Sequence, residues 1–302
     1  MAEQRIATTS ELASDASAGD FFALLKPRVM SLVIFTGLAG MIAAPGHINP
    51  AIAFTALLCI AAGAGAAGAL NMWYERDIDA LMTRTRERPL PARRMEPGAA
   101  LGFGTVLAVG SVTVMVLGVN WLAAFLLALT ILFYVFVYRI WLKPRTPQNI
   151  VIGGAAGAVA PAVGWAAVTG CVDIGALALF LIVFMWTPPH FWALALYKRG
   201  EYDLAGIPML PVVAGERETR KQIFIYAVLL APVALSPWAI GIAGMLYGVV
   251  AAVLSVLFIA AAWAVWKDEG ETAARRLFAF SIAYLFVLFL ALIFDRVAGF
   301  AA

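Results

Sequence analysis

Long apolar stretches alternate with short polar segments over almost the whole chain. A helix needs about 20 apolar residues to cross the hydrocarbon core of a bilayer, and nine stretches approach or reach that length. They cover approximately residues 29–44, 51–70, 99–117, 121–138, 150–168, 175–196, 223–242, 245–266 and 277–297. Because backbone groups in lipid must be hydrogen-bonded within the protein, the pattern predicts an all-α integral membrane protein with nine transmembrane helices in a bundle.

The composition is that of a membrane protein. Of the 302 residues, 63% are hydrophobic and 13% are charged, whereas soluble proteins are usually about half apolar and a quarter charged. Residues 1–20 are polar and lack an apolar stretch of their own, so we predict a flexible N-terminal tail there. Residues 21–302 are predicted to form a single transmembrane domain embedded in the lipid bilayer, with no nucleic-acid partner.

Positive charges fall almost entirely on one side of the predicted bundle. Twenty of the 21 lysine and arginine residues lie in the N-terminal segment or near the ends of the second, fourth, sixth and eighth stretches, and only Arg296 lies on the other side. The positive-inside rule makes the charged side cytoplasmic, which places the N-terminus inside. Since the opposite connections are very short, we expect the active site at the cytoplasmic mouth of the bundle or within the bundle. The predicted location is a bacterial inner membrane, with the active site at its cytoplasmic face.

A column of oxygen ligands follows the second stretch. If the helix continues past residue 70, Asn71, Glu75 and Asp79 recur every four residues and share one face, whereas Asp77 points away. Mg²⁺ prefers oxygen ligands and often binds carboxylates together with substrate phosphates. The column therefore predicts a metal site. The alternative interpretation is a solvated charged loop beside a membrane helix.

A second acidic segment follows the sixth stretch and contains Glu201 and Asp203. Both acidic segments end in closely spaced prolines and lie four stretches apart. This spacing predicts two four-helix pseudo-repeats plus a ninth helix, with both segments facing one cavity. A diphosphate requires metal ions and direct cationic contacts. The cations available for this role are Arg76, Arg84, Arg88, Lys143, Lys198 and Arg199.

The sixth stretch contains Pro188 and Pro189 directly before His190. Two prolines in a helix interior are predicted to break or kink it. His190 lies inside the membrane, where ionisable residues are rare and often functional. It is either a packed structural histidine or a haem contact or ligand.

In the fifth stretch, small residues predict close helix packing at Gly153, Gly154 and Gly157.

Four segments together resemble the UbiA superfamily of intramembrane aromatic prenyltransferases and, within it, the haem O synthases. The column at 71–79, with the Met-x-Arg-Thr-x-x-Arg-Pro sequence at 82–89, indicates the superfamily. The haem branch is indicated by residues 146–154, 189–194 and 203–212. The similarity extends over nearly the whole chain after the tail.

This resemblance implies farnesyl diphosphate and haem B as substrates, haem O as product, and Mg²⁺ as cofactor. It also implies a role in terminal-oxidase assembly, with haem A synthase or assembly proteins as further partners. A first catalytic metal is implied on Asn71, Glu75 and Asp79, and a second near Glu201 and Asp203. Glu75 stands where Asp is commoner, and the second pair of acids is two residues apart where many relatives space them by four. Which of the two acids binds metal therefore stays open.

Three other functions are compatible with parts of this pattern. Another aromatic prenyltransferase, acting on a quinone or chlorophyll precursor, shares the first segment, but the Pro-Pro-His-Phe-Trp sequence argues against it. A secondary transporter also has repeats and broken helices, with its site near mid-membrane, and the clustering of acids at one face disfavours it. A purely structural assembly factor would neither bind Mg²⁺ nor catalyse a reaction.

Overall fold

The structure, a computed structural model, describes residues 16–268 and 270–299, which form helices and their connections. A π-helix, Phe133–Leu142, directly continues one of the α-helices. The α-helices are α1 (Ala18–Leu24), α2 (Pro27–Ala43), α3 (Pro50–Leu81), α4 (Pro97–Gly118), α5 (Trp121–Leu132), α6 (Asn149–Ala158), α7 (Ala160–Thr169), α8 (Ile174–Tyr197), α9 (Arg199–Leu204), α10 (Leu210–Val213), α11 (Gly215–Ala239), α12 (Met245–Lys267) and α13 (Thr272–Val297).

The helices are long and apolar enough for a multi-pass membrane protein. Within the described residues, eight spans meet the length and hydropathy required, and a ninth is added when α1 and α2, which meet at a bend of 54°, count as one. The π-helix belongs to the same span as α5, and α6 and α7 together form another. The prediction of an all-α membrane protein is confirmed, with the first span divided between two helices.

Lys26 separates α1 from α2 and has a left-handed backbone conformation, with φ at 52°. Helix α1 begins after Ser17, whose hydroxyl accepts a hydrogen bond from the backbone N–H of Asp20. The predicted boundary between tail and domain, at residue 20, thus falls inside α1. Residues 1–15 of the predicted tail lie outside the described part of the chain.

Helices pack in the same order in the two halves of the bundle. In the first half α3 packs against α2 and α4, and α4 packs against α5. In the second half α8 packs against α7 and α11, and α11 packs against α12. Helix α13 packs against α2, α8 and α12. This order agrees with two four-helix repeats and an added ninth span.

The two halves approach most closely where α2 crosses α7. A Cβ atom added to Gly40 would lie 2.0 Å from the carbonyl oxygen of Pro161, and one added to Gly164 would lie 2.0 Å from the carbonyl oxygen of Gly37. Small residues allow helix backbones to come this close in membranes, where packing and not the hydrophobic effect holds helices together. These glycines therefore fix the contact between the halves.

Glycines of α6 pack as predicted at two of three positions. A Cβ atom on Gly153 would lie 2.1 Å from the ring of Tyr138, and one on Gly154 would lie 2.8 Å from a methyl of Thr187. A Cβ atom on Gly157 would meet no atom within 4 Å, so the packing prediction is wrong at that position.

Prolines interrupt a different span from the one predicted. Helix α8 runs through Pro188 and Pro189 without a break, so the alternative of a broken sixth span is wrong. The fifth span is divided instead, at Val159, shortly before Pro161. Neighbouring helices support a proline-containing helix in a membrane. Helices α6, α11 and α13 all pack against α8.

Candidate active site

Helix α3 continues for about three turns past the end of its apolar part and carries the predicted oxygen column. Asn71, Glu75 and Asp79 are only 2%, 4% and 3% exposed. Asp77 has a side chain that is 86% exposed. The predicted helical continuation is confirmed, and it buries three oxygen-bearing side chains on one face while the fourth lies at the surface.

Glu75 is surrounded by two cations from the end of the fourth span. Nη1 of Arg139 donates to both carboxylate oxygens at 3.0 Å, and Nζ of Lys143 donates to Oε1. Burial lowers the pKa of Lys143 to about 8; the charge of Arg139 lowers it as well, and Glu75 opposes both effects. The carboxylate therefore lies in a pocket of positive charge.

The π-helix positions Arg139 for this contact. Its i to i+5 hydrogen bonding brings Arg139 beside Tyr134, whose hydroxyl accepts a hydrogen bond from the guanidinium. The guanidinium carbon also lies 4.9 Å from the centroid of the Tyr134 ring and 4.7 Å from that of Tyr138. Cation–π contacts at these distances favour a charged guanidinium. Both rings therefore hold the arginine in front of Glu75.

Asp79 and Asn71 have cationic partners of their own. Nη1 of Arg88 donates to Oδ2 of Asp79 at 2.7 Å, because the chain after α3 turns back over the helix end. Thr85 stabilises this turn: its hydroxyl donates to the backbone carbonyl of Asp79 at 2.8 Å. Oδ1 of Asn71 accepts a hydrogen bond from Nζ of Lys26. Each member of the column thus contacts a lysine or an arginine.

The second acidic segment forms the short helix α9 and is less enclosed. Oε1 of Glu201 accepts a hydrogen bond from Nζ of Lys198 at 2.7 Å. Oε2 of Glu201 is buried and has no hydrogen-bond partner among the described residues. Asp203 is exposed, and its side chain forms no ion pair with any residue that the structure describes. Of the two acids, Glu201 is the one directed into the protein.

Tyr202 lies where the two acidic segments meet. Burial raises the pKa of its phenol, nearby Arg84 and Arg139 lower it, and Glu201 and Glu75 raise it. Charged groups from the end of α3, from the π-helix and from α9 are therefore all within electrostatic reach of this one ring. The segments after the second and sixth spans come together at the same end of the bundle.

His190 lies on α8, inside the bundle, and is held by α13. Its Nδ1 is 2.6 Å from the hydroxyl oxygen of Ser281. Its ring stacks between those of Trp186 and Phe278, at centroid distances of 4.3 and 4.6 Å. Phe278 also contacts Tyr197 edge to face at 6.0 Å. An aromatic column therefore runs from His190 to the end of α8, where the second acidic segment begins.

Residues 32–293 match the UbiA prenyltransferase family. The chain is a member of this family. It is 58% identical over 290 residues to "Protoheme IX farnesyltransferase" of Rhizobium rhizogenes, covering 95% of this chain and 91% of the relative.

Solved structures share the UbiA fold at low sequence identity. One, described as digeranylgeranylglyceryl phosphate synthase, superposes with a TM-score of 0.78 at 17% identity and covers 93% of this chain and 98% of its own. Another, a UbiA homologue from Archaeoglobus fulgidus bound to GPP and Mg²⁺, superposes with a TM-score of 0.63 at 16% identity, covering 91% and 99%. These likenesses establish the fold of the bundle.

Of the six cations predicted to bind diphosphate, four lie near the two acidic segments. Arg88, Lys143 and Lys198 each contact one of its acids. Arg84 is exposed and lies within electrostatic reach of Tyr202. These side chains line the end of the bundle where the two acidic segments meet.

The other two predicted cations are directed elsewhere. Arg76 donates to the backbone carbonyl of Trp73 at 3.0 Å and lies 3.8 Å from Asp77 on the outer face of α3. Arg199 pairs with Glu216 at 3.2 Å, with both side chains well exposed. Neither one contacts an acid of the column or Glu201.

Sequence reasoning missed two cations that contact the column, Lys26 and Arg139. In the sequence, both are recognisable only as part of the positive charge on one side of the bundle. Lys26 precedes Pro27, and a residue before proline is restricted away from α-helical geometry, which was an available signal for a break between helices. No comparable signal marks Arg139, because its placement depends on the π-helix.

Proposed function

We propose that this chain is a haem O synthase: it transfers the farnesyl group of farnesyl diphosphate to a vinyl group of haem B, with addition of water. The observation that carries the proposal is the buried column of Asn71, Glu75 and Asp79, in which every member contacts a cation. Oxygen ligands for metal and cations for phosphate are the two requirements of a diphosphate site. The 58% identical relative named protoheme IX farnesyltransferase supports the choice of substrates.

The donor set suits Mg²⁺. Two carboxylates and an amide oxygen are hard ligands on one helix face, and Mg²⁺ usually takes one or two carboxylates and completes its octahedron with phosphate and water. In the described ranges, no three His, Cys, Asp or Glu side chains lie close enough to hold a metal by themselves. The UbiA homologue that binds GPP together with Mg²⁺ supports binding of the metal together with the diphosphate substrate.

We assign the first metal to Asn71, Glu75 and Asp79. The second lies near Glu201 and Asp203, with Glu201 as the preferred ligand because its Oε2 is buried without a partner. When bound, Mg²⁺ supplies charge neutralisation at the leaving diphosphate. With Mg²⁺ bound, the amide and carboxylates of the column would hold the metal, and the cations beside them would contact phosphate oxygens.

The chain's own cations then bind the diphosphate. Those closest to the column, Lys26, Arg88, Arg139 and Lys143, contact it from three sides, and Lys198 approaches from the second segment. Donors fixed in advance stabilise developing negative charge without reorganising. Arg84 is a further candidate, whereas Arg76 and Arg199 need to change conformation to take part.

The reaction balances as follows. The allylic C–O bond of farnesyl diphosphate breaks, and the diphosphate leaves with the electron pair. A haem vinyl carbon forms a bond to C1 of the farnesyl group, which leaves a cation on the adjacent carbon next to the porphyrin. Water adds to that carbon and loses a proton, giving a hydroxyethylfarnesyl side chain. The apolar bundle excludes water from the allylic cation until the new C–C bond has formed.

Mass spectrometry of haem extracted after incubation with farnesyl diphosphate and Mg²⁺ tests the proposal. The expected product is haem B plus one farnesyl group and one hydroxyl group, absent when EDTA is added and in Asp79→Asn. Unmodified haem, with a quinone precursor farnesylated instead, would favour the other aromatic prenyltransferases. Uptake of an unmodified solute by proteoliposomes would favour a transporter.

We further propose a bacterial inner-membrane location with the active site and N-terminus in the cytoplasm. The one-sided distribution of Lys and Arg supports this. Cys171 is exposed in the short connection before α8, whereas Cys59 is buried. A membrane-impermeant maleimide added to spheroplasts should label Cys171 but not a cysteine introduced as Arg86→Cys. The opposite pattern would invert the topology. Haem O made here would pass to a haem A synthase or to terminal-oxidase assembly proteins.

A further inference from the structure

The ring of His190 is held from three sides. Trp186 and Phe278 stack on its two faces, with interplanar angles of 17° and 22°. Ser281, which is completely buried, contacts Nδ1 at 2.6 Å. Nε1 of Trp186 donates to the backbone carbonyl of Ser281 at 2.8 Å, so the same two helices are joined a second time beside the ring. The imidazole can neither flip nor tilt without breaking these contacts.

The hydroxyl of Ser281 determines which nitrogen of His190 carries the proton. Its oxygen donates to the backbone carbonyl of Phe278 at 2.7 Å. A hydroxyl has only one proton to donate, so a Ser281 hydroxyl that keeps its bond to Phe278 accepts from Nδ1–H of His190. In that arrangement Nδ1 of His190 carries the proton and Nε2 has a free lone pair. Nε2 makes no hydrogen bond to any residue in the described ranges.

We propose that Ser281 is a positioning residue that presents Nε2 of His190 as a ligand to the iron of haem. The inference rests on the proposed function, in which haem is the acceptor substrate. Neutral imidazole is the form that binds metals, and metal-binding histidines commonly donate their other ring N–H to a second group that fixes tautomer and orientation. A histidine that only packs needs neither a fixed tautomer nor an unused nitrogen.

The position of His190 suits an acceptor next to the diphosphate site. Phe278 stacks on its ring and also contacts Tyr197, the last residue of α8. Arg275 lies over the other end of this column, 4.6 Å from the centroid of the Tyr197 ring. Lys198 and Glu201 follow directly along the chain. His190 thus lies about two turns of α8 from the start of the second acidic segment.

Nitrogen NMR of the wild-type protein tests the tautomer directly. The chain contains only two histidines, His47 and His190, so ¹⁵N-histidine labelling gives two sets of side-chain signals that His47→Gln assigns. We expect His190 to carry its proton on Nδ1 and its lone pair on Nε2. Zinc protoporphyrin IX, a diamagnetic haem analogue, should shift the Nε2 signal most. A proton on Nε2, or an unchanged Nε2 signal at saturation, would overturn the proposal.

Variants test the role of the hydroxyl. Ser111 is a matched control, since it too is buried and donates to the carbonyl three residues earlier, but it has no histidine partner. Ser281→Ala is expected to weaken ferric haem B binding by about tenfold and to lower the iron–histidine stretching frequency in resonance Raman spectra of the ferrous form. Ser111→Ala should change neither. His190→Ala should lose the histidine-ligated spectrum and regain it with added imidazole.

The outcomes separate this inference from the proposed function. If Ser281→Ala binds haem with the affinity and Raman spectrum of Ser111→Ala, the inference fails even where the wild-type protein makes farnesylated haem. If the variants behave as expected but no farnesylated haem forms, the haem site stands and the proposed reaction fails. Should Ser281→Ala not fold, the wild-type NMR experiment still decides. A wild-type protein that binds no haem would contradict both.

Discussion

The two acidic segments differ in how their side chains are held. Glu75 and Asp79 are almost fully buried, and Glu75 is paired with cations 64 and 68 residues away in the chain. Glu201 is paired with Lys198, three residues before it, and both side chains are partly exposed, at 20% and 32%. Contacts between distant segments fix the first group, whereas local contacts within one helical turn fix the second.

This difference indicates that the two acidic segments have different roles in the reaction. Groups held by several helices keep their geometry whether or not substrate is bound, which is what preorganised electrostatic stabilisation requires. A local pair on a short helix can rearrange at little cost, since exposed ion pairs contribute only about 0–1 kcal/mol. We therefore expect the column on α3 to determine the chemical step and α9 to adapt to the substrate. Four predictions test this ranking.

The largest effect is expected at the column. Glu75→Gln and Asp79→Asn keep the shape of each side chain but remove its charge, so each should lower kcat by about 10³-fold through loss of charge stabilisation at the leaving group. The measurement is initial rate against Mg²⁺ concentration. The control, Asp77→Asn, changes an exposed acid on the same helix and should leave the rate unchanged. Near-normal turnover of either column variant would refute the metal assignment.

Arg139 comes next. Arg139→Gln should reduce kcat/KM for farnesyl diphosphate by about 10²-fold, because it removes one fixed cation from the diphosphate site. Arg139→Lys should restore only part of this, since a lysine cannot reproduce a planar guanidinium that contacts both tyrosine rings. Arg145, whose guanidinium donates to the backbone carbonyls of Ile140 and Trp141, provides the control Arg145→Gln. If that control were equally impaired, net charge and not the position of Arg139 would be responsible.

A smaller loss is expected in the second segment. Glu201→Gln should reduce turnover by about tenfold and raise the Mg²⁺ concentration needed for half-maximal rate, because water and phosphate can replace one ligand of a partly exposed ion. Steady-state rates over a Mg²⁺ titration check both effects. A loss as large as that of Glu75→Gln would mean that the two segments contribute equally.

Asp203→Asn should have the smallest effect, within about twofold of wild type, as for most exposed substitutions away from structural features. The same Mg²⁺ titration compares it with Glu201→Gln. If Asp203→Asn proved the more damaging of the two, the metal-binding acid would be Asp203, and α9 would have to rotate when substrate binds.

Periodicity predicted the column but not the groups that surround it. Residues spaced by four share a face on any helix, so Asn71, Glu75 and Asp79 could be grouped before their surroundings were known. Glu201 and Asp203 are two apart, which on a helix directs them to nearly opposite sides. Only one of them could therefore face the site, and the register of a short helix decides which. That register depends on tertiary packing.

The positions of the helix breaks also differ between the sequence-based prediction and the structure. Pro188 and Pro189 predict a break or kink, yet α8 continues through them, while the fifth span is divided at Val159. A proline removes one backbone donor, and whether the helix continues depends on what its neighbours offer in return. The π-helix that places Arg139 has no reliable sequence signature either, because its hydrogen bonds differ from those of an α-helix by a single residue.

The π-helix makes the site sensitive to the number of residues in the fourth span. A turn of π-helix accommodates one residue more than α-helical winding does, so deleting Val135 would let the segment relax to α-helix. Each residue of an α-helix accounts for about 100° of rotation. A change of winding in this segment is therefore enough to turn a guanidinium away from its carboxylate. Insertions and deletions here should be far less tolerated than elsewhere in the lipid-facing part of the same span.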